Sequence, residues 1–114
     1  MSANSFHFDI SGNRLGVFLG PTEAKLMELV WGQTNLTVKS ALFYLDRDDR
    51  RAYTTIMTVL NRLVDKGLLT RARDGRNYVY RAGIDRETFI RDHIKRIQAC
   101  LKKNFPDAFD ELTS

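Results

Sequence analysis

The stretch AYTTIMTVLNRLVDKGLLTRARDGRNYVYR, residues 52–81, decides the fold, because its apolar residues change from a helical spacing to an alternating one. The helical spacing predicts one buried stripe, formed by Ile56, Val59, Leu60, Leu63 and Val64. Gly67 predicts the helix end, since glycine readily adopts the left-handed conformation found there. The alternating part predicts two strands, residues 68–73 and 76–81, around a tight Asp74-Gly75 turn. We therefore expect a helix over about residues 52–66 and then a β-hairpin.

Two shorter helices are predicted ahead of this stretch. Gly20 and Pro21 suit the N-cap and first position of a helix that closes at Trp31-Gly32. Thr37 suits the N-cap of a second helix over residues 38–45. The next six residues, 46–51, are all charged. Because charged side chains are almost never fully buried, we expect an exposed turn there between the second and third helices.

A further amphipathic helix is predicted after the hairpin. Asp85 suits its N-cap, and the helical pattern continues to about residue 103, after which Phe109 and Leu112 indicate one more short helical turn. An isolated amphipathic helix has to cover its apolar seam, either on its own domain or on the same helix of a second chain, and we favour the second chain. The predicted dimerisation residues are Phe89, Ile90, Ile94, Ile97 and Leu101.

The order of these elements predicts the fold class. Three helices followed by a hairpin are typical of a mainly α protein with a small β-hairpin wing, here a winged helix-turn-helix plus a C-terminal dimerisation helix. The expected domains are an N-terminal extension over residues 1–19, the winged helix-turn-helix over residues 20–83 and the dimerisation helix over residues 84–114. Phe6, Phe8 and Ile10 alternate with polar residues, so the extension is either a β-hairpin or a loose arm.

The basic charge of the chain is concentrated in its middle. The net charge of the 114 residues is +4, and residues 37–81 contain ten basic and five acidic residues, whereas residues 82–114 contain six of each. This distribution is expected if one face meets the phosphates of a nucleic acid. A solvated basic surface would have the same composition, so charge alone does not choose between the two.

The motifs of common enzymes and metal sites are missing from the sequence. His7 and His93 belong to no nucleophile pattern, and no Gly-rich phosphate loop, HExxH motif or cysteine pair occurs. We expect a protein that is not an enzyme and has no cofactor or metal. Cys100 is the only cysteine, and we expect it to be a small buried hydrophobe. Without a long apolar run or a signal peptide, a cytoplasmic location and no membrane partner are expected.

The exposed face of the third helix is polar but carries little charge, which favours a role in the DNA major groove. Threonine hydroxyls can bond phosphates or bases there, and an arginine can reach a phosphate or a guanine. The predicted DNA-binding residues of this helix are Tyr53, Thr54, Thr55, Thr58 and Arg62, with Arg51 just before it. Lys39 and the wing-tip residues Arg76 and Asn77 complete the set. An ordinary surface position is the alternative for each of them.

Three stretches resemble the penicillinase repressor family, which includes the methicillin-resistance repressors. They are LGPTEAKLMELVW at residues 19–31, AYTTIMTVLNRL at residues 52–63 followed by KGLL at residues 66–69, and GRNYVY at residues 75–80. The resemblance covers roughly residues 20–89. It implies a homodimeric transcriptional repressor that binds a palindromic operator in double-stranded DNA through helix 53–66 and the wing 68–81. The alternative function is a winged-helix module that binds another protein, which would require an exposed apolar patch on the third helix or the wing.

Overall fold

Five helices and a two-stranded antiparallel sheet make up the part of the chain that the structure describes. This computed structural model describes residue 15 and residues 18–33, 35–46 and 50–114. The elements are α1 (Pro21–Gly32), α2 (Val38–Tyr44), α3 (Arg50–Asp65), β1 (Leu69–Asp74), β2 (Asn77–Ala82), α4 (Arg86–Asn104) and α5 (Pro106–Thr113). They confirm the mainly α fold with a hairpin wing. One compact unit ends at Ile84, and a second comprises Asp85–Ser114.

Caps define the first two helices where the sequence predicts them. The backbone N–H of Gly20 donates to Glu23 Oε1 at 3.4 Å, and Pro21 occupies the first turn of α1. Thr37 Oγ1 accepts a hydrogen bond from the Ser40 backbone N–H at 3.0 Å, and this bond caps α2. α2 ends at Tyr44, one residue earlier than predicted, and Asp46 follows it with a φ of 57°.

The third helix begins earlier than the sequence predicts. α3 includes Arg50 and Arg51, so the prediction of an exposed turn over residues 46–51 is wrong for these two residues. Arginine is a good helix former, which allows the last part of the charged run to continue the helix. At the other end, Gly67 has a φ of 81° and its N–H donates to the Val64 carbonyl, while the Leu68 N–H donates to the Leu63 carbonyl. These two bonds form a Schellman cap, so that α3 ends at Asp65.

The core of the first unit lies between α1, α2, α3 and the hairpin. From α3 it receives Ile56, Val59, Leu60 and Leu63, as predicted, whereas Val64 is only half-buried. The first two helices contribute Leu26, Met27, Val30, Val38, Ala41 and Leu42. Burial of this stripe fixes the orientation of α3, because rotating the helix would expose apolar surface to water.

The turn of the wing lies one residue later than predicted. Asp74 pairs with Asn77, which leaves Gly75 and Arg76 as the two turn residues instead of Asp74 and Gly75. Gly75 has a φ of 66°, and Arg76 is not among the described residues with positive φ. A two-residue turn with glycine in its first position and only that φ positive is a type II′ turn. The sequence prediction assumed a positive φ at both central residues of the turn. In the structure only Gly75 has one.

Backbone contacts attach the wing to the helices. The N–H of Leu36 donates to the Tyr80 carbonyl at 2.9 Å, and the Tyr80 N–H donates to the Leu36 carbonyl at 2.7 Å. This bridge adds a single residue, placed just before α2, to the outer edge of β2. The indole N–H of Trp31 donates to the Ile84 carbonyl at 2.9 Å and holds the chain after the hairpin against α1.

The second unit consists of α4 and α5, which contact each other. Asp85 caps α4 by accepting a hydrogen bond from the Thr88 N–H at 3.1 Å, and the hydrogen bonds from Thr88 lower the pKa of the Asp85 carboxyl. The predicted short helical turn is a full helix, α5. Cys100 is exposed, so the expectation of a buried cysteine is wrong.

Most of the N-terminal extension lies outside the described residues, including the stretch predicted as a hairpin or arm. Leu15 and Leu19 are described and buried. Within the described residues, no helix is both long and apolar enough to cross a membrane.

Candidate nucleic-acid interface

The exposed face of α3 carries most of the predicted DNA-binding residues. Thr54, Thr55, Thr58 and Arg62 are all exposed. At 100° per residue, Thr54 and Thr58 lie directly opposite the buried stripe, whereas Thr55 and Arg62 lie on one flank. Tyr53 and Met57 lie on the other flank and are 40% and 36% exposed. The face therefore has a polar centre and two different edges.

A groove runs between the start of α2, the Tyr53 flank of α3 and the wing. Its cavity has a volume of about 350 Å³. The lining residues are Thr37, Val38, Lys39, Tyr53, Met57, Arg76, Asn77, Tyr78 and Tyr80. The structure thus brings together four residues that the sequence could only place on separate elements, namely Lys39, Tyr53, Arg76 and Asn77. Two of them are cationic, which suits a groove that holds a DNA backbone.

Thr55 lies outside this groove. It lines a smaller cavity of about 90 Å³ together with Thr22, Lys25, Leu45, Ala52 and Ile56, between α1, α2 and α3. The structure therefore does not bring Thr55 to the groove. The smaller cavity that Thr55 lines also contains a cationic side chain, Lys25. The side chain of Arg51 lies outside the described part of the chain, and its contact with DNA stays a prediction.

A hydrogen-bonded link between α3 and the wing is absent from the sequence predictions. Asn61 Oδ1 accepts a hydrogen bond from Arg71 Nη1 at 2.6 Å and another from the Tyr80 hydroxyl at 2.7 Å. Arg71 and Tyr80 are direct partners across the two strands, so both reach the same helix position. The predicted turn would have placed Arg71 opposite Tyr78 instead; the signal for the observed register is Gly75, which suits the first position of a type II′ turn.

The arginines of the wing are held by neighbouring side chains. The guanidinium carbon of Arg71 lies 4.5 Å from the centre of the Tyr78 ring, and that of Arg73 lies 5.7 Å from it. Both distances are within the range of cation–π attraction. On the opposite face of the hairpin, Arg81 Nε donates to Asn35 Oδ1 at 2.6 Å. The wing is therefore a cationic surface whose charges have defined positions.

The end of α3 is tied to the start of α1. Lys66 Nζ lies 2.8 Å from Glu23 Oε2, in an ion pair whose side chains are largely covered. Lys66 follows the last residue of α3, so the exposed Thr54 and Thr58 lie away from this ion pair, in the N-terminal and central portion of the helix. Helix-turn-helix proteins contact base edges with this portion of the recognition helix.

Tyr80 provides a pH-dependent contribution to stability. Burial raises the pKa of its phenol above the ordinary value of 10.0, although the charge of Arg71 opposes the rise. A raised pKa means that the folded protein holds this proton more tightly than the unfolded chain, so the contribution is complete below about pH 10 and is lost as the pH rises through the folded pKa. We expect the free energy of unfolding to fall less steeply above about pH 10 in Tyr80→Phe than in the wild type. Denaturant unfolding measured across this range tests the prediction, and parallel curves would contradict it.

The family model described as penicillinase repressor matches residues 19–113, which include both the winged helix and the C-terminal helices. The chain belongs to the penicillinase repressor family. This family consists of transcription regulators and not of enzymes, which confirms the expectation that the protein is not an enzyme.

Individual members of the penicillinase repressor family match in part. The chain is 28% identical over 72 residues to "Penicillinase repressor" of Bacillus licheniformis, covering 63% of this chain and 56% of the relative. It is 40% identical over 63 residues to "Transcriptional regulator BlaI" of Mycobacterium tuberculosis (strain CDC 1551 / Oshkosh), covering 54% of this chain and 46% of the relative. The same figures apply to the protein of that name in a second strain. The chain spans about half the length of these curated relatives.

Proposed function

We propose that the protein is a homodimeric transcriptional repressor that binds a palindromic operator. The observation that carries the proposal is the continuity of the exposed polar face of α3 with a cationic wing, in a chain of the penicillinase repressor family. α3 enters the major groove, where each base pair presents a distinct pattern of donors and acceptors. The wing and the groove residues Lys39 and Arg76 bind the phosphates beside it. A cytoplasmic location follows from this role and stays a prediction.

Apolar side chains of the second unit support the dimer. Ile94 and Leu101 on α4 are 44% and 42% exposed, and Phe105 and Leu112 are 62% and 83% exposed. Exposed apolar groups in such number on α4 and α5 favour burial against a partner, and a second copy of the chain supplies the same surface. Of the predicted dimerisation residues, Ile90 and Ile97 are half-buried, and Phe89 is already 1% exposed in the single chain. The proposed interface therefore consists of the four remaining predicted residues and two additional ones, namely Ile90, Ile94, Ile97, Leu101, Phe105 and Leu112.

His93 has a packing role in this unit. Its ring lies 4.2 Å from the ring of Phe89, and its Nδ1 lies 3.0 Å from the Phe89 carbonyl oxygen. These contacts indicate that His93 has a structural role in α4.

Selection of bound sequences from a random DNA pool tests the proposal. We expect an operator with two-fold symmetry and half-sites roughly 34–36 Å apart, because a symmetric dimer presents two copies of α3 to one side of the duplex. The affinity for this operator should fall steeply as the salt concentration rises. Each phosphate contact should contribute about −0.9 to the slope of log K against log salt concentration. Enrichment of no sequence would overturn the proposal.

Thr58→Ala and Arg62→Ala should have different effects on DNA binding. Thr58 lies at the centre of the exposed face, so we expect its substitution to weaken the operator complex by about 1 kcal/mol and to leave binding to random DNA nearly unchanged. Arg62 lies on the flank, and its loss should weaken both kinds of DNA. Fluorescence anisotropy with the operator and with a random duplex measures both effects. A uniform loss in Thr58→Ala would contradict a base-reading role.

A protein-binding winged helix is the second candidate function. The large apolar residues of α3 that are exposed in the described structure, Tyr53 and Met57, lie together on one flank and line the groove. A protein partner would occupy this flank, and Met57→Ala would then abolish capture of the partner. Sequence-specific enrichment of DNA, with Met57→Ala still binding, would exclude this function.

A further inference from the structure

Asn61 joins the proposed recognition helix to the wing through a single atom. Its Oδ1 accepts hydrogen bonds from Arg71 Nη1 on β1, at 2.6 Å, and from the Tyr80 hydroxyl on β2, at 2.7 Å. Tyr80 is 1% exposed and Asn61 is half-buried, so the contact lies at the base of the wing. Both strands of the hairpin are thereby held against the same turn of α3.

This engagement makes Asn61 unsuitable for reading a base. Asparagine recognises adenine with two bonds, one accepted by its oxygen and one donated by its nitrogen. The oxygen of Asn61 already accepts two bonds within the protein, and breaking them would leave a buried hydroxyl and a guanidinium without their partner. We therefore expect Asn61 to act on the wing and not on the DNA sequence.

Arg71 is the exposed end of this link. A guanidinium has five N–H donors, and the bond to Asn61 uses only one of them. The guanidinium carbon of Arg71 lies 4.5 Å from the centre of the Tyr78 ring, and this contact restricts the orientation of the guanidinium. Asn61 is one helical turn from Thr58, so the charge of Arg71 lies at the edge of the exposed polar face of α3. A cation held beside the groove-entering helix is placed for a phosphate, and it loses little side-chain freedom on binding.

We propose that Arg71 binds a phosphate of the DNA backbone beside α3, and that Asn61 is the positioning residue that holds its guanidinium there. The proposal rests on the proposed function, since it requires that the protein binds DNA. It assigns a DNA contact to a residue of the wing stem, in addition to those at the wing tip.

Arg73 offers a matched control. It lies on the same strand and the same face as Arg71, and it also stacks on Tyr78, at 5.7 Å. Its Nε donates to the Gly75 carbonyl within the hairpin, at 3.3 Å, and not to α3. Arg71→Ala and Arg73→Ala therefore remove the same charge from the same strand, but only the first removes a hydrogen bond to Asn61.

The first measurement compares Arg71→Ala with the wild type on the selected operator across a salt series. We expect a loss of affinity of roughly tenfold or more, in line with a charge-assisted hydrogen bond. The slope of log K against log salt should become shallower by about 0.9 for each protomer, because one phosphate contact is lost. Arg71 is exposed, and thermal unfolding should show that the variant folds as the wild type does.

The second measurement is a double-mutant cycle. Asn61→Ala should show the same shallower slope as Arg71→Ala, and Asn61→Ala/Arg71→Ala should bind no more weakly than Arg71→Ala alone. In contrast, the effects of Asn61→Ala and Arg73→Ala should add. Selection with Asn61→Ala should return the same operator sequence as the wild type, because the residue reads no base.

These outcomes separate the inference from the function on which it rests. If the wild type enriches no DNA sequence, the proposed function fails. If the wild type binds its operator and Arg71→Ala binds as tightly with an unchanged salt slope, the phosphate contact is refuted while the function stands. Additive losses in Asn61→Ala/Arg71→Ala, or an altered base preference in Asn61→Ala, would refute the positioning role.

Discussion

Ile94→Asp should convert the protein into a monomer and weaken operator binding by about 10²–10⁴-fold. Ile94 lies on the exposed apolar seam of α4 and is 44% exposed, so it contacts the partner in the proposed dimer. A carboxylate in an apolar interface has to be desolvated without a compensating partner, which costs several kcal/mol and prevents association. Once the two winged helices are separate, the second half-site no longer benefits from the first, and the advantage of bivalent binding is lost.

Sedimentation equilibrium and anisotropy on a full operator and on a single half-site measure this effect. On a single half-site, Ile94→Asp should bind with the same affinity as the wild-type protein, because each half-site is contacted by one winged helix. Ala99→Asp is the matched control, because it introduces the same charge at an exposed position on the other side of α4. It should stay dimeric and bind the full operator. A dimeric Ile94→Asp would show that the subunits associate through another surface.

Tyr80→Ala should lower the free energy of unfolding by about 3–5 kcal/mol, as expected for the removal of a fully buried aromatic side chain. The ring is 1% exposed, and its hydroxyl donates to Asn61 at 2.7 Å. The substitution therefore leaves a cavity at the base of the wing and removes one of the two hydrogen bonds that Asn61 Oδ1 accepts from the hairpin. For a small domain this is a large share of the total stability.

Denaturant unfolding of Tyr80→Ala beside Tyr80→Phe separates the two causes. Tyr80→Phe keeps the ring and removes only the hydroxyl, so its loss should be about 1 kcal/mol. The bond from Arg71 to Asn61 remains possible in this variant. Equal losses in the two variants would show that the hydroxyl, and not the packing of the ring, secures the wing.

Several elements followed from local sequence alone. The stripe of α3 repeats at helical spacing, and its burial left Thr54 and Thr58 exposed as predicted. The caps at Gly20, Thr37 and Asp85 depend on a few adjacent residues, which explains why the starts of these helices agree with the sequence. The start of α3 did not agree with the sequence prediction. A run of charged residues such as 46–51 is compatible with an exposed turn and also with a helix, because arginine is a good helix former.

The burial of single residues was harder to predict. Cys100 is exposed although an isolated cysteine is among the most buried residue types, and Phe89 is covered in the single chain although it lies beside the proposed dimer seam. Composition and periodicity describe a face of a helix, but the neighbours that cover each position come from other parts of the chain. The groove beside α3 has the same origin, because its lining residues come from α2, α3 and the wing.

The sequence by itself determined the winged-helix order, the two faces of α3 and the basic character of the wing, because periodicity, caps and charge are local properties. The tertiary structure alone decided that Asn61 meets Arg71 and Tyr80. This contact depends on the strand register, which places Arg71 opposite Tyr80 because Gly75 and Arg76 form the turn. With the turn at Asp74 and Gly75, Arg71 would have lain opposite Tyr78. Moving the turn by one residue shifts the partner of every residue across the hairpin by two positions, and the sequence offers a plausible turn at either place. The folded structure decides between the two, because it shows which pairing is made.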